Sequence, residues 1–196
     1  MRASRLTLLV TLSLSIAAAR TAHAQFGVGG KPGAKSMVVM MPDVQKELKL
    51  SGDQKKQIMI AQRDLMNGGG MSMNMSTMNE EMDAKVLGGL NADQLSRLTE
   101  LWIQYEGPLV LQDKVVAESV KLTDDQKTQI KAIWDKYQDT VLESMRNMRS
   151  NSAMNALKKT KKEADAATLA LLTPDQIKAF TDMQGKAFKF QMKKEI

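Results

Sequence analysis

The stretch "KLTDDQKTQI" at Lys121–Ile130 decides the reading of this chain, because its core pattern returns three more times. "LSGDQ" stands at Leu50–Gln54, "LNADQ" at Leu90–Gln94 and "LTPDQ" at Leu172–Gln176. Each copy reads as a helix start. In "LTPDQ", Thr173 fits the N-cap, Pro174 the first helical position and Gln176 the third. The threonine hydroxyl can accept from a first-turn amide, while the glutamine side chain reaches back to the N-cap amide, closing a capping box. Proline there costs no helical hydrogen bond, and Asp175 suits the positive end of the helix dipole. Ser51, Asn91 and Thr123 take the same capping role, with Gln54, Gln94 and Gln126 three residues on. Each such cap contributes about 1 kcal/mol.

Apolar residues follow each start at helical spacing. After Ser51 come Ile58, Ala61, Leu65 and Met66, ended by Gly68–Gly70. After Asn91 come Leu95, Leu98, Trp102, Tyr105 and Leu109, interrupted by Gly107-Pro108. After Thr123 come Ile130, Ile133, Trp134, Tyr137, Val141, Met145 and Met148. After Thr173 come Ile177, Phe180, Met183 or Gln184, and Phe188. Trp102, Trp134 and Phe180 on such stripes read as core. Few aromatics and abundant Met, Lys, Gln, Asp, Ala and Leu make a helix-forming composition.

The four motifs fall into two pairs. Val44–Ile58 ("VQKELKLSGDQKKQI") aligns without gaps on Val116–Ile130 ("VAESVKLTDDQKTQI"). Glu81–Gln94 ("EMDAKVLGGLNADQ") aligns likewise on Glu163–Gln176 ("EADAATLALLTPDQ"). The expected fold is therefore all-α: two tandem helical units of elongated capped helices, related by an internal duplication. The expected boundaries are 1–24 for a signal peptide, 25–42 for a flexible linker, 43–110 for the first unit and 111–196 for the second.

The signal-peptide reading rests on Arg2 and Arg5, the uncharged apolar run Leu6–Ala19, and Ala22-His23-Ala24 ahead of a cleavage point after Ala24. The run is short for a membrane span, so an exported, periplasmic chain without stable membrane insertion is expected. The leader carries three of the 28 basic residues and none of the 22 acidic ones, which leaves the mature chain at a formal +3. That excess is too small to imply nucleic-acid binding. The one histidine, His23, leaves with the leader, and there is no cysteine. Ser-His-Asp and Cys-His nucleophile systems, imidazole-thiolate zinc sites and disulfides are all excluded. No glycine-rich phosphate loop followed by Lys-Ser/Thr is present either. A non-enzymatic protein without nucleotide is expected.

Repeated L-T-x-x-Q on a signal-bearing, cysteine-free, Lys/Met/Gln-rich helical chain resembles the Spy/CpxP family, also called the LTxxQ-motif family. "KLTDDQKTQI" and "LTPDQIKAF" are the segments most similar to its two motifs. The resemblance covers the four motif regions and little between them. It implies a periplasmic, all-helical protein of the class that includes an ATP-independent, cradle-shaped homodimeric chaperone, an envelope-stress modulator and metal-sensing relatives. This chain departs from the pattern by carrying four motifs rather than two, by lacking histidine ligands, and by a short spacing from Thr123 to Thr173. One chain with four motifs could supply both halves of a cradle, so a monomer with pseudo-dimeric halves and a homodimer are both open.

"MNGGGMSMNMSTMNEEM" (Met66–Met82) is the other unusual stretch. Met71, Met73, Met75 and Met78 alternate with small polar residues, and soft thioethers at such spacing suit Cu(I) or Ag(I). The same flexible, polarizable side chains also suit adaptable apolar contact. Met145, Arg146, Met148 and Arg149 form a looser echo, beside the basic run Lys158, Lys159, Lys161 and Lys162. Together with Met66, these residues are the expected client-binding set, joining apolar contact to positive charge. Unfolded or envelope proteins are the expected partners, with Cu(I)/Ag(I) handling or an envelope-stress accessory role as the alternatives. Glu80, Glu81, Asp83, Glu163 and Asp165 read as helix-surface acids rather than acid/base pairs.

Overall fold

The computed structural model describes residues 32–67, 75–146 and 151–191, and the side chains of 32–64, 81–143 and 155–191. The expected signal peptide and residues 68–74 of the Met-rich run lie outside those residues. Every regular element among the described residues is helical, so the fold is all-α. The order is α1 (Lys35–Val39), α2 (Pro42–Glu47), α3 (Gly52–Asn67), α4 (Met75–Leu87), α5 (Ala92–Glu106), a 3₁₀ turn (Gly107–Gln112), α6 (Lys114–Ser119), α7 (Asp124–Arg146), α8 (Asn151–Ala170) and α9 (Pro174–Asp182). None of these helices is long and apolar enough to cross a membrane.

The chain forms two long hairpins, α3 on α4 and α7 on α8, each preceded by short helices and followed by another helix. The entry to both hairpins is built alike. α2 and α6 each end at a lysine in the left-handed region, Lys49 at φ 50° and Lys121 at φ 57°. The Leu50 N–H then donates back to the Gln45 carbonyl (3.1 Å), as Leu122 does to Ala117 (2.9 Å). These bonds cap helix carbonyls that would otherwise lack a donor, which offsets the cost of a left-handed residue with a Cβ.

Residues 25–42, expected to be a linker, are helical over their last part. α1 buries Val38 and Val39 completely and packs on α4 and α5. Its N-terminus is held by the Asp83 carboxylate of α4, which accepts from the Ser36 N–H (2.8 Å) and the Lys35 N–H (3.3 Å). A carboxylate over the first-turn amides of a helix favours that helix electrostatically, so the short α1 is stabilised by its docking rather than by propensity.

Buried residues from 43–110 and 111–196 belong to one continuous hydrophobic cluster that runs from Val38 to Phe180. Equivalent positions of the aligned segments are buried together: Val44 with Val116, Leu50 with Leu122, Ile58 with Ile130, and Leu90 with Leu172. The stripes continue into the core through Leu98, Trp102, Trp134 and Phe180. Two apolar residues of the expected stripes behave differently. Ile177 is exposed, and Leu109 is buried from the 3₁₀ turn because Gly107, at φ 68°, ends α5 one residue after Glu106.

Beyond α9 the chain returns across α5. Gln104 donates to the carbonyls of Gln184 and Lys186 and accepts from the Phe188 N–H (2.8 Å). Arg97 bridges Glu47 (2.7 Å) and Glu100 (2.6 Å) while donating to the Lys186 carbonyl (2.8 Å). Phe190 stacks edge-on against Tyr105 and Phe188. Phe188 therefore packs from this strap, not from a helical stripe. The turn needs Gly185, at φ 57°, because a Cβ there would overlap the Glu100 carboxylate.

Candidate functional site

All four capping boxes close in both directions. Ser51, Asn91, Thr123 and Thr173 each accept from the backbone N–H three residues on, and the glutamine there accepts from the cap N–H at 2.9–3.0 Å. The glutamines do more than cap. Gln54 and Gln94 face each other across the first pair of motifs and exchange carboxamide hydrogen bonds of 2.7 and 3.2 Å. Gln126 and Gln176 do the same across the second pair at 2.8 and 2.9 Å. Each Nε2 also donates to a backbone carbonyl one or two residues ahead of the opposite motif: Gln54 to Gly89, Gln94 to Leu48, Gln126 to Leu171 and Gln176 to Lys121. A carboxamide has two donors and an acceptor with two lone pairs, so this residue type can cap its own helix and clamp the partner motif at once. The motifs are thus the joints at which each hairpin is closed, and they are structural.

The residues expected to contact clients are distributed over the two hairpins. Met66 lies in the last turn of α3, Met75 and Met78 lie in α4, and Met145 and Arg146 lie in the last turn of α7; their side chains are outside the described set. Met71, Met73, Met148 and Arg149 lie outside the described residues altogether. Lys158, Lys159 and Lys162 are exposed on α8, where Lys159 sits 3.9 Å from Glu163. Lys161 departs from the expectation of a surface cation. Its side chain is 16% exposed, 2.5 Å from Asp165 and 3.4 Å from the Glu106 carbonyl, with its ammonium 4.9 Å from the centre of the Trp134 ring. It lies on the inward stripe of α8 with Leu157, Ala164 and Thr168, so its neighbours in the basic run point out while it points in.

Large apolar side chains stand exposed elsewhere among the described residues: Val115 on α6, Leu142 on α7, Ile177 on α9 and, as an adjacent pair, Met59 and Ile60 on α3. Only Ile58 and Ala61 of its described side chains are buried, and Met59 (63% exposed) and Ile60 (37%) stand adjacent on the outside. Between α3 and the α1–α2 corner runs an open groove of about 510 Å³, lined by Met40, Ile58 and Met59 and edged by Lys55, Lys56 and Gln62. Two methionines and an isoleucine beside two lysines in one lining offer apolar contact next to positive charge. Sequence reading missed this face because Met59 and Ile60 fall off the stripe defined by Ile58 and Ala61. Two large apolar residues off the buried stripe of an amphipathic helix were the available signal.

A second polar assembly is interior. Glu106 closes α5 with 3% exposure, and its Oε2 has no hydrogen-bond partner among the described residues. Burial pushes its carboxyl up to about 7, against the lowering influence of Lys161 and of a hydrogen bond from the Gly33 N–H, with Asp165 adding to the rise. Tyr137 and Tyr105 are both pushed up to about 12, chiefly by burial, with Asp165 and Glu106 contributing at Tyr137 and Glu106 at Tyr105. Trp134 meets Tyr137 edge-on at 5.4 Å. The lone acid in the apolar segment "WIQYEGPLVL" marked this position in the sequence.

Among the described residues no group of three or more His, Cys, Asp or Glu side chains is arranged to hold a metal ion. No family model, curated protein or solved structure matches this chain.

Proposed function

We propose that the mature chain is an exported, periplasmic, ATP-independent chaperone-like protein that captures unfolded or stress-exposed proteins on apolar, basic helical surfaces. The observation that carries this reading is the outer side of α3, where Met59 and Ile60 stand exposed next to the groove edged by Lys55 and Lys56. Adjacent exposed apolar residues on a helix mark a contact surface when they adjoin a concave apolar floor. Thioether side chains adapt to many shapes, which suits a surface that accepts varied sequences. The Met-rich segments near the ends of α3 and α7, and Lys158, Lys159 and Lys162 on α8, extend the same chemistry in this reading. The recurrence of the hairpin joint supports a tandem duplication that places two such units in one chain.

Capture then combines weak apolar contact with screened charge, which makes it reversible. The test is light scattering from an aggregating client with purified protein added at increasing ratio, without nucleotide. Suppression at near-stoichiometric ratio is the expected result, and its absence sinks the reading. Raising ionic strength from 0.05 to 0.5 M (about 14 to 4 Å in Debye length) should slow capture several-fold. Salt-insensitive capture would remove the electrostatic part of the mechanism.

The alternation of Met71, Met73, Met75 and Met78 with small polar residues favours one second reading, Cu(I) or Ag(I) binding. Replacing all four with Leu keeps the apolarity and deletes the ligands, so loss of Ag(I) binding with retained client suppression would separate the two roles. An accessory role with one specific envelope-stress partner is the third reading. It would show as saturable binding to a single protein without general suppression.

A further inference from the structure

We propose that the Glu106 carboxyl is an interior proton-binding site that sets how firmly the α7–α8 hairpin is held on the corner between α5 and the 3₁₀ turn, tight when the carboxyl is neutral and looser when it is ionised. Glu106 is the last residue of α5, and the 3₁₀ turn that begins at Gly107 packs on both α7 and α8. The carboxyl is therefore at the point where the first hairpin's exit helix meets the second hairpin.

The groups that face or flank this corner come from several elements. α8 supplies Lys161 and Asp165, α7 supplies Tyr137, and α5 itself supplies Tyr105. The segment before α1 supplies the Gly33 N–H, and on α1 the Lys35 ammonium lies 5.0 Å from the Trp102 ring centre. The 3₁₀ turn, "GPLVLQ", brings no titratable side chain, and Lys114 and Glu118 of α6 are exposed. Among the described residues Lys161 is the ammonium that acts on the Glu106 carboxyl, and it is already engaged with Asp165. Lys161 sits 2.5 Å from Asp165 and reaches the backbone carbonyl of Glu106 at 3.4 Å. An ionised Glu106 places a second carboxylate against a single cation, with Oε2 unpartnered, so negative charge stays undercompensated in an apolar surround. A neutral Glu106 leaves the Lys161–Asp165 pair balanced and brings no charge inside.

The sign follows from linkage. The folded carboxyl titrates above its unfolded value, so the unfolded chain releases this proton first as pH rises. As far as this group is concerned, stability is greatest below about pH 4.5, falls from there as pH rises to about 7, and is level above that. The shift corresponds to an unfolding constant that rises by on the order of 100-fold across this window.

The test is urea unfolding of the full chain from pH 5 to 8.5, beside Glu106→Gln. The ratio of the two unfolding constants should change by on the order of 100-fold with a midpoint near pH 7, Glu106→Gln being favoured on the alkaline side. Parallel profiles would overturn the proposal. Lys161→Met provides a second arm that does not depend on how well Glu106→Gln folds. Removing the cation that lowers Glu106 should move the midpoint upward, and an unmoved midpoint contradicts the assignment. Hydrogen-exchange protection of the α8 amides, corrected for intrinsic rates, should fall between pH 6 and 8 in the unaltered protein. Protection that stays constant there would refute the loosening.

Discussion

Replacing Gln126 with Ala should destabilise the protein by about 2–4 kcal/mol, far more than the loss of one helix cap. Loss of the reciprocal bond of the capping box, from the Thr123 N–H to Gln126 Oε1, accounts for about 1 kcal/mol of it. The remainder comes from the three other bonds that Gln126 makes: donation to the Leu171 carbonyl and to Gln176 Oε1, and acceptance from Gln176 Nε2. Gln176 is buried, and truncating its partner leaves its carboxamide short of both a donor and an acceptor. A double-mutant cycle with Gln176→Ala should therefore give a coupling of about 1–2 kcal/mol. Gln129→Ala is the control. Gln129 is exposed on the same helix and bonds Asp125 at 3.3 Å, so its loss should fall within about 0.5 kcal/mol of neutral. If Gln126→Ala costs no more than a cap and the cycle is additive, the motif is a helix start and nothing else.

Trp134→Ala should cost about 3–5 kcal/mol in urea unfolding, and it should do so without any equivalent loss in the first hairpin. Trp134 is fully buried, meets Tyr137 edge-on and lies under the Lys161 ammonium. Its deletion leaves a void and removes the aromatic face over which Lys161 is held. The aligned position in the first hairpin is Gln62, which is exposed, so Gln62→Ala should be close to neutral. The two hairpins share their joint but not the chemistry of their shafts. Trp134→Phe should fall well short of the alanine cost. It removes a buried indole N–H that has no partner, and what it loses is mainly volume. Equal costs for Phe and Ala at this position would contradict the packing described for the α7–α8 hairpin.

The parts of this structure that sequence reading reached are those written in local spacing. The capping boxes depend on residues three apart, and the stripes through Leu98, Trp102, Trp134 and Phe180 depend on one helix at a time, so periodicity was sufficient. The glutamine clamps were out of reach because Gln54 meets Gln94, and Gln126 meets Gln176, only after two helix starts dock. The five residues of α1 are too few to show a helical period, so the sequence reads there as a linker. What fixes them is the distant Asp83 carboxylate together with the burial of Val38 and Val39. Lys161 was grouped with its basic neighbours by composition. The stripe Leu157, Lys161, Ala164, Thr168 would have placed it inward. Ile177 was placed in the core by the same periodicity and is exposed, since α9 buries Gln176 and Phe180 instead. The candidate surface on α3 was the least legible part, because it is defined by what fails to be covered.

The measurement that tests the functional account most directly is client-aggregation suppression by the double variant Met59→Ser/Ile60→Ser beside Val115→Ser, at matched concentration. Both variants remove exposed apolar side chains, Val115 being 68% exposed on α6, so Val115→Ser should cost the fold no more than about 0.5 kcal/mol and the double variant about 1 kcal/mol. Suppression should fall several-fold for the α3 variant and stay at the unaltered level for Val115→Ser. Equal suppression by both variants and the unaltered protein would contradict the assignment of α3 as the capturing face.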